Sequence, residues 1–289
     1  MENQSIWLDL ELRKDIDDFV TLIYALENKM PVSVVSIHNP SESELKLLGS
    51  TLKVIDTKPY IVITGDVTEY EEGEDLTPTL MAMVKGVETP VATPLKSFID
   101  SENFPSATRI FCGGSLTTLA TLLTEKPDVF WDAYIQGGYA GPALMGSNAL
   151  KKFRKRAAVP TWNLNLDIEA SDVVLAAKNV KRHFISKDIC HDSWVHDDDV
   201  KNGTSMVAKL IRTFFDNNND KAEGAFDKKK CMHDLLAFLS MSNKELVEFK
   251  EAALVRDNSP RVKWHCETGG ESNCVISVAY DKSAFLEML

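Results

Sequence analysis

Five carboxylates fall within ten residues near the start of the chain: Asp9, Glu11, Asp15, Asp17 and Asp18. They follow a short apolar run, Ile6-Trp7-Leu8, and lead straight into a helical pattern carried by Phe19, Leu22, Ile23 and Leu26. Carboxylates this close repel one another unless solvent or a cation separates them. At the carboxyl end of a first strand they form a candidate site for a hard, oxygen-seeking metal such as Ca²⁺. The same residues also read as a solvated acidic loop whose last Asp caps the helix, where negative charge is favoured anyway.

Four later stretches place useful groups where a strand gives way to a loop. Ile37-His38-Asn39-Pro40 ends a second strand on an amide. Cys112-Gly113-Gly114-Ser115-Leu116-Thr117-Thr118 sets small residues between strand and helix, where backbone can approach a ligand. Thr161-Trp162-Asn163-Leu164-Asn165-Leu166-Asp167 offers two amides and an aromatic ahead of a helix, and Cys231-Met232-His233-Asp234 opens another helix on a His-Asp pair. Taken singly, a Gly-Gly-Ser stretch is an ordinary turn and a His-Asp before an apolar helix is an ordinary cap.

The elements that must hold these groups alternate. Ile6–Leu10, Val32–Ile37, Tyr60–Thr64, Thr108–Cys112, Ala133–Gln136 and His183–Ile185 read as strands. Helical patterns near Asp17–Asn28, Ser43–Ile55, Leu116–Leu123 and Ile168–Lys178 lie among them. That alternation predicts an α/β fold, a mostly parallel central sheet flanked by helices, with ligands at the carboxyl ends of its strands. The C-terminal part reads as a helical elaboration: Thr204–Asn217 and Met232–Ser240, then strands Arg261–Cys266 and Cys274–Tyr280 joined by a hairpin turn at Gly269–Asn273, and a last helix Lys282–Met288. With no internal repeat or interdomain linker, residues 1–289 read as one domain.

The formal charge of −11 over 289 residues argues against nonspecific binding to nucleic acid or anionic membrane. No run of 18 apolar residues occurs, and Met1-Glu2-Asn3-Gln4 is not the basic start of a signal peptide. Cys112, Cys190, Cys231, Cys266 and Cys274 are scattered without a CxxC pair, against both zinc and a disulfide framework. A cytoplasmic protein is expected.

Taken in order, the stretches resemble the inosine–uridine-preferring nucleoside hydrolase family. That family opens on a strand ending in Asp-Thr-Asp-Pro-Gly-Ile-Asp-Asp, to which Asp9-Leu10-Glu11 and Asp15-Ile16-Asp17-Asp18 are similar, with two extra residues between the halves. Asn39 fits its Gly-Asn, Cys112–Thr118 its Gly-Gly/Pro-Leu-Thr-Asn turn, and Gln136-Gly137-Gly138 its Met-Gly-Gly. Thr161-Trp162-Asn163 with Asp167-Ile168-Glu169-Ala170 resembles Glu-Phe-Asn followed by Asp-Pro-Glu-Ala; His233-Asp234 matches the late His-Asp, and Val278–Leu289 the last strand and helix. The resemblance implies hydrolysis of an N-glycosidic bond by a water activated on Ca²⁺. It implies Glu11, Asp18, Asp234 and a main-chain carbonyl at Gly113 as metal ligands. Glu11 would also be the general base, Asp17 would hold a ribose hydroxyl, and His233 would face the leaving base. Asn39, Gln136, Thr161 and Asn163 would line the sugar. A small-molecule nucleoside or nucleotide as substrate and a homo-oligomer, dimer or tetramer, are further expectations.

The departures are as specific as the matches. Glu11 stands where the family has Asp, and Leu12-Arg13-Lys14-Asp15 replaces the Pro-Gly turn, so that Arg13 or Lys14 could compete with the metal. The family's Met is Gln136, the turn's final Asn is Thr118, and the segment from Asp66 to Leu76 has no His-Gly-x-Asp-Gly likeness. The carboxylate for the ribose 5′-hydroxyl is replaced by Thr161, with Lys151, Lys152, Arg154, Lys155 and Arg156 just before it. A carboxylate repels a 5′-phosphate; a hydroxyl flanked by cations accepts one. A 5′-substituted ribosyl substrate, including a nucleoside 5′-monophosphate, is therefore one expectation, and a solvated basic helix face is the other. Contacts to the leaving base are expected from loops around Leu76–Lys85 and Asp216–Cys231. Two other functions stay open: a catalytically impaired member that binds nucleosides or nucleotides, and a phosphatase-like hydrolase using Asp9 with Lys53 or Lys58.

Overall fold

The computed structural model describes residues 5–12, 16–66, 89–105, 109–217 and 228–289. Arg13, Lys14 and Asp15, the acidic run 67–76, the 76–85 loop and residues 218–227 of the late polar stretch lie outside the described residues.

Strand β1 (Ile6–Leu10) is buried at all five positions, as a strand covered on both faces must be. Beside it on one side run β2 (Val32–His38), β3 (Tyr60–Thr64) and β4 (Ala92–Pro94). On the other side come β5 (Arg109–Cys112), β6 (Trp131–Gln136) and β7 (Val180–Ile185), all parallel. The expected strands are present: β1 and β3 keep their expected bounds, β2 runs one residue further, β5 is described from Arg109, and β6 and β7 each start earlier than their patterns suggested. A separate antiparallel ribbon joins β8 (Trp194–His196) to β9 (Lys229–Cys231).

The C-terminal end departs from the expected hairpin. A ten-residue strand, β10 (Val247–Arg256), lies between β11 (Trp264–Glu267) and β12 (Cys274–Tyr280) and pairs antiparallel with both. Gly269–Asn273 therefore joins two strands that are not neighbours. Strand β10 is hidden in the sequence because the exposed residues Glu248, Lys250 and Glu251 break its apolar pattern. Strand β12 then docks parallel on β7, giving one sheet in the order β11-β10-β12-β7-β6-β5-β1-β2-β3-β4.

The helices in chain order are α1 (Ile16–Glu27), α2 (Glu42–Ile55), α3 (Leu95–Ile99), α4 (Thr117–Glu125), α5 (Gly141–Met145), α6 (Trp162–Leu166) and α7 (Ile168–Ala176). They continue with α8 (Lys187–Cys190), α9 (Asp197–Val200), α10 (Met206–Asn217), α11 (His233–Ser242) and α12 (Lys282–Glu287). Helix α2 starts on a reciprocal cap, Ser41 accepting from the Glu44 N–H at 3.2 Å while Glu44 accepts from the Ser41 N–H at 2.7 Å. Helix α1 packs on α10 and α11, and α4 on α7. The core is aromatic at the amino end of the strands, where Trp7 meets Trp131 edge-on at 6.0 Å and Phe98 at 5.8 Å. Nearer the carboxyl end, Phe238 of α11 packs edge-on against Phe111 of β5 at 5.7 Å. Among the described residues no helix is long and apolar enough to cross a membrane.

Candidate active site

The acidic residues gather at the carboxyl ends of β1 and β5, between the first turns of α1 and α11. Asp17, Asp18 and Asp234 are buried (2%, 4% and 6% exposed), and each offers a carboxylate oxygen within 4.8 Å of the other two. At that spacing each like-charge pair costs about 3 kcal/mol even at an effective dielectric of about 20. A helix N-terminus returns only about 0.3–2 kcal/mol per charge. The helix ends therefore cannot hold three ionised carboxylates together; a bound cation can.

The protein fixes each oxygen. Asp17 Oδ2 accepts from the His233 and Asp234 N–H groups at 3.1 and 3.5 Å, so a carboxylate of α1 caps α11. Asp18 Oδ1 accepts from the Glu11 N–H at 3.2 Å. A Cβ on Gly113 would stand 2.7 Å from Asp18 Oδ1 and 3.2 Å from Asp234 Oδ1, so only glycine lets the backbone come this near. All-oxygen donors of this kind, carboxylates with a carbonyl at hand, suit Ca²⁺.

The other expected residues divide. Glu11, half-buried, meets the group through its backbone, and its carboxylate stands outside the three that converge; Asp17 takes that place. Asn163, at the start of α6, donates from Nδ2 to the Gly113 carbonyl at 2.7 Å and to Gln136 Oε1 at 2.7 Å, bringing the second and third motifs onto one edge of the site. Nearby, Thr117 of the Gly-Gly-Ser turn donates to Asp167 Oδ2 at 2.8 Å. Asn39 has a positive φ of 44° and is engaged inside the protein, its Oδ1 accepting from the Asp66 N–H at 3.0 Å and its Nδ2 facing His38 Nε2 at 3.0 Å. A sugar would have to compete for that amide. His233 lies with Nδ1 3.9 Å from Asp17 Oδ2 and its ring 5.2 Å from that of His191. Thr161 is buried to 2% exposure, and among the described residues its hydroxyl has no hydrogen-bond partner.

Asp9 lies beneath the site and does not face it. Its carboxylate is buried on the Ser36 hydroxyl, which also accepts from Trp7 Nε1 at 2.7 Å. Lys53, in the last turn of α2, and Lys58, just before β3, lie at the amino end of the strands. Asp9 ends β1 at the opposite edge, which removes the phosphatase arrangement. Burial pushes the Asp9 pKa from 3.8 to about 7, against the lowering effect of hydrogen bonds from Ser36 and Thr118. The folded chain thus holds a proton that the unfolded chain loses near 3.8. This contribution to stability is complete below that value and lost as pH rises through about 7. Thermal unfolding in chelator should show Asp9→Asn flattening the fall in Tm across that window; parallel profiles for variant and parent would refute this.

One group of residues was missed in the sequence. Lys187 and His191 follow the carboxyl end of β7, on and just after the short α8. The strand-end rule that found the other stretches covers this one as well, but four helical residues give too little periodicity to mark it. His191 is pushed down to about 3, first by burial and then by the charges of His233, Lys152, Lys187 and Lys230. Of the five basic residues before Thr161, Lys152 reaches this group, whereas Arg154 donates to the Ala149 carbonyl at 3.1 Å.

Comparison with known proteins agrees with this geometry. The family model for inosine-uridine preferring nucleoside hydrolases matches residues 6–287. A relative in Aquifex aeolicus (strain VF5), described as an uncharacterized protein, is 27% identical over 284 residues, 91% of each chain. Among solved structures, the plant nucleoside hydrolase PpNRh1 superposes with a TM-score of 0.72 at 14% identity, covering 99% of this chain and 97% of that one. An inosine-guanosine nucleoside hydrolase gives 0.71 at 14%, covering 98% and 97%. The type III effector protein XopQ complexed with adenosine diphosphate ribose gives 0.54 at 12%, covering 99% and 91%. With almost the whole chain matched, the protein belongs to the inosine-uridine preferring nucleoside hydrolase family, glycosidases that act on N-glycosyl bonds.

Proposed function

We propose that this chain is a Ca²⁺-dependent N-ribohydrolase whose substrate is a nucleoside or a 5′-substituted ribosyl compound. The observation that carries this reading is the convergence of the buried carboxylates of Asp17, Asp18 and Asp234 beside Gly113. These three, with the Gly113 carbonyl, would hold the ion. Ca²⁺ supplies there the positive charge that lowers the pKa of a bound water and grips vicinal hydroxyls.

The chain's own residues do the rest. Glu11, at the end of β1, is the base that takes the water's proton as its oxygen bonds to C1′. The C1′–N bond breaks with its electron pair leaving on the base, and the sugar passes through an oxocarbenium-like state. His233, beside Asp17, delivers a proton to the departing base. Asp17 accepts a hydrogen bond from a ribose hydroxyl on its face toward the ion, and Asn39, Gln136 and Asn163 line the sugar. Water and the ribosyl compound are consumed; the free sugar and the protonated base are released.

The test is ribose release from inosine and uridine by chelator-treated protein. Activity should fall to background and return on addition of Ca²⁺, whereas full turnover in excess chelator would overturn the metal-dependent reading. A second reading, a nucleoside- or nucleotide-binding member with impaired catalysis, is favoured by one observation: the Glu11 carboxylate lies outside the converging group. Calorimetry with inosine and with ADP-ribose, the ligand of one structural neighbour, separates the two. Ca²⁺-dependent binding without ribose release would select the binding protein.

A further inference from the structure

The wall beside the carboxylates carries more positive charge than a neutral sugar needs. Lys187 is half-buried; its Nζ donates to the Pro160 carbonyl at 2.9 Å, the residue before Thr161. Among the described residues it has no carboxylate within ion-pair distance, and burial followed by the charges of Lys152 and Arg261 lowers its pKa. Thr161, alongside, brings the buried hydroxyl without a partner. Two residues on, Asn163 touches the Gly113 carbonyl.

A second path of contacts reaches the same wall. His233 sits by Asp17 and against His191; the His191 ring meets Phe153 edge-on at 5.6 Å; and the Lys152 ammonium lies over Phe153 at 5.1 Å from its centre. Lys187 and a hydroxyl without a partner among the described residues therefore adjoin the Asn163 edge of the site, and Lys152 lies farther out, beyond the rings of Phe153, His191 and His233, in a protein whose net charge is −11. A buried ammonium without a counter-charge is unfavourable unless a ligand supplies one. A neutral hydroxymethyl group would leave the half-buried Lys187 uncompensated, and a cationic substituent would be repelled.

We propose that Lys187 and Thr161, with Lys152 at the rim, form an anion subsite that takes the phosphoryl group of a ribosyl 5′-phosphate while the sugar hydroxyls face Asp17, Asp18 and Asp234. The proposal rests on the N-ribohydrolase reading for its sugar and on the Lys187–Thr161 wall for its phosphate.

The experiment compares uridine and inosine with their 5′-monophosphates in Ca²⁺, for wild type, Lys187→Met and Lys187→Arg, alongside calorimetric binding of ribose 5-phosphate and ribose. The wild type should favour the monophosphates by about tenfold or more in kcat/KM, on the scale of one charge-assisted contact. Lys187→Met should reduce kcat/KM for the monophosphate at least about tenfold more than for the nucleoside. Lys187→Arg, which keeps the charge, should retain the preference and so shows that a loss in Lys187→Met is not one of folding. A preference for free nucleosides, or an equal loss on both substrates, overturns the subsite and leaves the hydrolase reading standing. Tight ribose 5-phosphate binding that depends on Lys187, without any turnover, supports the subsite while the hydrolase reading fails.

Discussion

Asp234→Asn is expected to lower kcat by about 10²–10³-fold, on the scale of losing one preorganised electrostatic contact to a transition state, and to weaken Ca²⁺ binding in calorimetry. The substitution keeps the shape of the side chain and removes one of three converging charges. It also leaves in place the Asp234 backbone N–H on which Asp17 rests. The thermal signature should have the opposite sign. Without metal, the variant is relieved of two repulsive pairs and should unfold at a higher temperature than the wild type. Ca²⁺ at about a hundred times the wild-type Kd should add on the order of 2–3 kcal/mol to the wild type and less to the variant, so that the gap between them narrows. A variant within about threefold of wild-type turnover would remove Asp234 from the ion's shell.

Gly113→Ala should be nearly as damaging for a steric reason. Its Cβ would stand 2.7 Å from Asp18 Oδ1 and 3.1 Å from Phe111 Cε1, and neither neighbour is free to retreat. Asp18 is buried and tied to the Glu11 N–H, and Phe111 is wedged against Phe238. Loss of Ca²⁺ affinity of about 10–100-fold is expected, the range seen when the support of a metal ligand is disturbed, with a matching fall in kcat/KM. Gly114→Ala is the control. The nearest atom to its Cβ would be Glu11 Cβ at 3.5 Å, an ordinary contact, and it should retain most of the activity. Equal loss at both positions would mean that the turn needs flexibility instead of clearance.

The parallel half of the sheet was legible where short apolar runs end on polar groups, while Asp132 and the pair Lys181 and Arg182 concealed the first residues of β6 and β7. Asp18, Gly113, Asn163 and Asp234 were found that way, and they come together. Which carboxylate turns inward was not legible. Glu11 and Asp17 are equally acidic on paper, and what selects Asp17 is the pair of N–H groups at the start of α11, more than two hundred residues away. Strand β10 stayed hidden because the exposed Glu248, Lys250 and Glu251 interrupt its apolar positions. Lys187 and His191 stayed hidden because α8 is a single turn. Asn39 was read correctly as a strand-end amide, but the Asp66 N–H that occupies it belongs to the next strand's loop.

Helix α1 is fastened at both ends. Asp17 caps α11, while Glu27 receives the Met206 N–H at 2.8 and 3.0 Å and so caps α10. Helices α10 and α11 therefore both begin at fixed points on a single rod, and the entropy of closing the chain between two such points grows only slowly with its length. The carboxylate of Asp17 is thereby held by the same rod that sets where α10 and α11 begin.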